Sequence, residues 1–114
     1  MDDKKGAMSM VRLLMKKMLH VERTYDITIF QTPSFGQTKG YRQVYRLTIN
    51  ASNHHEALSH LYRMFNVSDL MPKDYQARFM STGDIVLIDE GLKGQVYYKL
   101  CPGGWKKINR IHIR

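Results

Sequence analysis

Residues 81–100 constrain the fold of this chain more than any other stretch. Ser81-Thr82-Gly83-Asp84 is turn chemistry, because glycine reaches positive φ freely and Ser and Asp side chains hydrogen-bond nearby backbone. Ile85-Val86-Leu87-Ile88 follows as an unbroken apolar, mostly β-branched run, which suits a strand buried on both faces. Asp89 to Gly94 turns the chain, and Gln95 to Leu100 then alternates. Val96, Tyr98 and Leu100 share one face, with Gln95, Tyr97 and Lys99 on the other. The expectation is a β-hairpin at the centre of the fold. Its residues offer neither a nucleophile–base pair nor metal-ligand spacing, so it reads as a scaffold for binding.

The flanking segments supply elements for that hairpin to pack against. Tyr25, Ile27 and Ile29 alternate with Asp26, Thr28 and Phe30, as a half-buried strand does. Pro33 to Gly40 is a loop by composition. Gln43 to Asn50 resumes period two, with Tyr45, Leu47 and Ile49 on one face, so the two runs pair as an antiparallel hairpin. Asn53 is an N-cap, with Glu56 placed to reach back to the cap's N–H. Ala57, Leu58, Leu61, Tyr62 and Phe65 then form a buried helical stripe, and Asn66 supplies a left-handed C-terminal cap. Val67 to Gln76 is a linker in which Pro72 forbids regular helix. Arg110-Ile111-His112-Ile113-Arg114 alternates strictly and reads as a last edge strand.

Residues 1–24 differ in character. Met8, Val11, Leu14, Met15, Met18 and Leu19 form an apolar stripe at helical spacing, with Arg12, Lys16 and Lys17 elsewhere on the wheel. The spacing predicts a basic amphipathic helix from about Met8 to His20. Docking on the domain is one role for it; a membrane surface or a partner's groove is the other. The expected architecture is a single α+β domain over 25–114, preceded by this segment at 1–24. Its sheet is mainly antiparallel with four or five strands, and one helix packs across it.

Charge narrows the function. The net charge is +8, and residues 93–114 hold six Lys or Arg and no acid. Such a block attracts an acidic surface, whether protein, nucleic acid or anionic lipid. The single cysteine, Cys101, forbids an intramolecular disulfide and suits a reducing cytoplasm. No apolar run reaches 18 residues, and the N-terminus lacks the pattern of a signal peptide, so a cytoplasmic protein is expected.

The motifs Asn50-x-x-Asn53-x-x-Glu56-Ala57-Leu58, Leu61-Tyr62-x-x-Phe65-Asn66, Pro72-x-Asp74 and Arg78-x-x-Ser81-x-Gly83-Asp84 occur in that order. Together with Tyr25 to Phe30 they make residues 25–114 resemble the YodL family of small proteins from spore-forming Gram-positive bacteria. Phe79 departs from the pattern, which has a small polar residue after the arginine. The resemblance implies a sporulation-associated regulator that acts on MreB, the actin-like protein governing cell width.

Catalysis finds little footing. His54 and His55 diverge by about 100° on a helix, and neither stands four residues from His60, so no zinc pair forms and the three read as solvent-facing. Cys101 and His112 lack an orienting third residue, and Asp84, Asp89 and Glu90 read as solvated turn carboxylates. No enzyme, metal or cofactor is expected. Partner binding is assigned to Phe35 and Trp105 as aromatic anchors, with Lys106, Lys107, Arg110 and Arg114 steering the approach. A small nucleic-acid-binding module is the rival reading, drawing on the same basic charge and on Tyr41, Tyr45, Tyr97, Tyr98 and Trp105.

Overall fold

A computed structural model describes residues 22–110. The helix expected over Met8–His20, together with Ile111 to Arg114, lies outside the described residues. Strands β1 (Arg23–Gln31), β2 (Arg42–Ala51), β3 (Ile85–Asp89), β4 (Gln95–Cys101) and β5 (Gly104–Ile108) form one sheet in the order β2-β1-β3-β4-β5. Every neighbouring pair is antiparallel. One helix, α1 (His54–Met64), follows β2 directly. The Ile85–Asp89 strand sits in the middle of the sheet, as its apolar run requires.

Register explains the core. Tyr25 pairs with Ile49, Ile27 with Leu47 and Ile29 with Tyr45 across β1 and β2. Ile27 also faces Ile88, and Ile29 faces Val86, across β1 and β3. Those side chains make one apolar layer, against which α1 lays Ala57, Leu58, Leu61 and the following Phe65. The chain from Phe65 to Met80 closes over the same layer with Tyr75 and Met80, both buried. Val44 is the extra residue on β2 at a bulge opposite Ile29 and Phe30.

Three local expectations need correction. Tyr62 is 45% exposed and so does not belong to the buried stripe. It lies one residue beyond Leu61, about 100° round the helix, and turns toward a groove. Asn66 is not a left-handed cap, since no described non-glycine residue has positive φ; its amide donates instead to the Tyr62 carbonyl at 2.8 Å. The last described strand is Gly104–Ile108, and the strand expected over Arg110–Arg114 falls, from Ile111 on, outside the described residues. The N-cap is as expected, with Asn53 Oδ1 accepting from the Glu56 N–H at 2.8 Å. Glu56's carboxylate, however, meets the Ser52 hydroxyl rather than the cap's own N–H.

Leu61 is fully buried while the His60 side chain is 52% exposed. Leu61→Ala is therefore expected to cost about 2–5 kcal/mol in urea unfolding, and His60→Ala less than about 0.5 kcal/mol. Equal losses would mean that the face of α1 is misassigned.

Candidate functional site

The motif Arg78-x-x-Ser81-x-Gly83-Asp84 builds a buried polar cluster rather than a solvated turn. Asp84 is 0% exposed, which corrects the expectation of a turn carboxylate in water. Its Oδ1 accepts from Arg78 Nη2 at 2.8 Å. Its Oδ2 accepts from Arg78 Nη1 at 3.1 Å, Gln31 Nε2 at 2.9 Å and the Ser81 N–H at 2.9 Å. A buried charge is tolerable only when so fully paired. The surrounding backbone is tied as well: Tyr75 donates to the Arg78 carbonyl and Tyr41 to the Gly83 carbonyl, each at 2.6 Å. Burial, reinforced by the Asp84 charge, pushes the Tyr75 phenol up to about 12, so it stays a donor at neutral pH. With its lone pairs committed inside the chain, Asp84 acts as a lock between β1 and the 78–84 turn.

That lock has a surface consequence. Phe79 sits between Arg78 and buried Met80 yet is 51% exposed. Its carbonyl lies 3.4 Å from Gln31 Nε2, and the Met80 N–H donates to the Phe65 carbonyl at 3.2 Å. An exposed aromatic on backbone held so firmly is pre-organised for contact. Its departure from the family pattern was the one sequence signal that could have marked it.

The histidines do not converge. His55 and His60 are exposed on α1, whereas the His54 side chain is only 22% exposed, against the solvent-facing expectation. His54 Nε2 meets Glu90 Oε1 at 3.0 Å, and Nδ1 lies 2.8 Å from the Tyr98 hydroxyl. Both ring nitrogens of His54 are thus engaged, Nε2 by the Glu90 carboxylate and Nδ1 by the Tyr98 hydroxyl. Burial, then the nearby Glu90 charge, raises the Tyr98 pKa, which keeps that phenol protonated. The contact pins the first turn of α1 to the β3–β4 turn. Among the described residues no group of three or more His, Cys, Asp or Glu could hold a metal ion, and no helix is long and apolar enough to cross a membrane.

The open surface lies between α1 and the β4–β5 hairpin. A groove of about 400 Å³ is lined by Ser59 and Tyr62 from the helix, Thr82, and Leu100, Cys101, Pro102, Gly104 and Trp105. Gly104, at φ 125°, closes the hairpin turn in a conformation that side chains disfavour. Trp105 stands opposite Leu100 in register, half-buried, with one edge on the core and another in the groove. Lys107 follows Trp105 on the same face, while Lys106 points to the other face beside Lys99. Arg110 is exposed just past β5, and Arg114 lies outside the described residues. Phe35 is 65% exposed in the β1–β2 loop, at the same end of the sheet as the β4–β5 turn. Three strand spacings, about 15 Å, separate the two. Phe35 and Trp105 are thus brought to one end of the sheet but not into contact.

The model of a family described as the YodL-like domain matches residues 13–110. The chain is also 57% identical over 91 residues to a Bacillus subtilis (strain 168) protein named "Uncharacterized protein YodL", covering 80% of this chain and 88% of that one. No solved structure matches.

Proposed function

The chain belongs to the YodL-like family, and from that premise we propose that it is a non-enzymatic cytoplasmic regulator that binds an MreB-like actin homologue. In this reading it perturbs control of cell width during sporulation. The observation that carries the reading is the groove beside Trp105 on an acid-free basic hairpin. The groove sets Tyr62 and Trp105 on the sheet face that also carries exposed Lys107, and the buried Arg78–Asp84 pair is consumed by the fold. The partner follows from the family resemblance; the acidic chemistry of its surface follows from the charge.

A nucleic-acid module would use the same charge. Stacking of successive bases, however, needs aromatics exposed along one face. Tyr45 donates to Asp74, Tyr97 is buried, and Tyr98 is bound to His54. The protein partner is therefore the reading that the geometry favours.

Rim charges set association, and desolvated anchors set dissociation. Lys107→Glu combined with Arg110→Glu is expected to slow association with purified MreB and to flatten its salt dependence. Trp105→Ala and Phe35→Ala are expected to speed dissociation, at about 1–3 kcal/mol for whichever residue is a hot spot. Surface plasmon resonance at two salt concentrations separates the two effects. Unaltered binding in all three variants would remove this surface from the proposal, and absence of binding by the native chain would remove the partner.

A further inference from the structure

The sheet face turned away from α1 has an apolar centre as well. By register it carries Phe30, Ile85, Leu87, Tyr97 and Ile108, with Thr28 among them and Lys99 and Lys106 on the β4–β5 side. Antiparallel sheets with a solvated face alternate apolar-in and polar-out, yet β3 presents large aliphatic side chains to both sides. Ile85 is 1% exposed and Tyr97 9%, although no described helix lies over them. Phe30 lies beside Tyr97 on this face, with ring centroids 6.4 Å apart.

We propose that this face is covered by the chain's own residues 8–19, docked through Met8, Val11, Leu14, Met15, Met18 and Leu19. Twelve residues in the helix that their spacing predicts span about 18 Å, and crossing from β1 to β5, three strand spacings away, takes about 15 Å. The connection is short. Only His20, Val21 and Glu22 separate the stripe from Arg23, the first residue of β1, and three residues reach about 10 Å. Charge agrees at the near rim, where Asp26 and Asp89 pair in register on this face. Arg46 pairs with Asp26 and feels the Asp89 charge as well, but Asp89 makes no salt bridge among the described residues. Arg12, Lys16 and Lys17 flank the stripe and can supply one. The family match also starts at residue 13, so most of the stripe belongs to the shared domain rather than to an appended arm.

The test uses the full chain in a Cys101→Ser background. Leu87→Cys combined with Met15→Cys, treated with a short bismaleimide, is expected to give mostly an internally crosslinked monomer. Leu87→Asp and Met15→Asp are each expected to lower the folded-to-unfolded ratio in urea by about 10- to 100-fold. Crosslinks between chains would overturn the proposal in favour of a second copy on this face. Aspartate variants that leave stability intact but lose binding to anionic vesicles would overturn it in favour of a membrane surface. Absence of any internal crosslink, with unchanged unfolding midpoints, would overturn it outright.

Discussion

Asp84→Ala is expected to destabilise the fold by about 3–5 kcal/mol, because it strands the Arg78 guanidinium beside the buried amide of Gln31. The Arg78 side chain is 25% exposed, so water recovers part of its solvation, which places the cost toward the lower end. Gln31 recovers little, being only 2% exposed and 53 residues away in sequence from the carboxylate it serves. Asp84→Asn keeps the shape but loses the charge-assisted pair and presents an N–H₂ where only donors converge. Urea unfolding measures both variants. Arg78→Met added to Asp84→Ala should cost much less than the sum of the single changes, since it removes the orphaned charge. Additive losses, or a stable Asp84→Ala protein, would mean that the cluster does not hold the 78–84 turn to the sheet.

Phe65→Ala is expected to cost about 3–5 kcal/mol, the range for emptying a large aromatic site in a packed core. Phe65 is fully buried and sits edge-on to Tyr75 at 4.7 Å and Tyr45 at 5.8 Å. Tyr45 and Tyr75 are themselves edge-on at 5.5 Å, so the three rings form a closed set. Removing one ring deprives two others of contact. Thermal and urea melts should show Phe65→Leu retaining more than half of the lost stability. Near-native stability in Phe65→Ala would require the 65–80 segment to refill the space. The Met80 N–H bond to the Phe65 carbonyl makes that difficult, because it holds the segment in place from the backbone side.

Local periodicity was enough to locate four of the five strands and the helix. The alternation in Tyr25–Ile29 and Gln43–Asn50, the apolar run from Ile85 and the Asn53 cap each express a preference that acts within a few residues. β5 escaped because Gly104-Trp105-Lys106-Lys107-Ile108 has no clear alternation. It is a strand because β4 lends it a ladder on one side.

The candidate site divides along the same line. The basic block and the Gly-Gly turn before Trp105 are visible in the residues themselves, as is the loop that exposes Phe35. What only the tertiary structure decided is which polar residues are spent. Asp84 looks like a turn carboxylate until Gln31 and Arg78 close on it, and His54 looks like a surface residue until Glu90 and Tyr98 meet its ring. Tyr62 looks like core until the β4–β5 hairpin forms the other wall of its groove. Sequence spacing determines which face of an element a side chain takes, because that follows from φ and ψ alone. What waits opposite that face depends on contacts between segments far apart in the chain, and only the folded backbone brings those together.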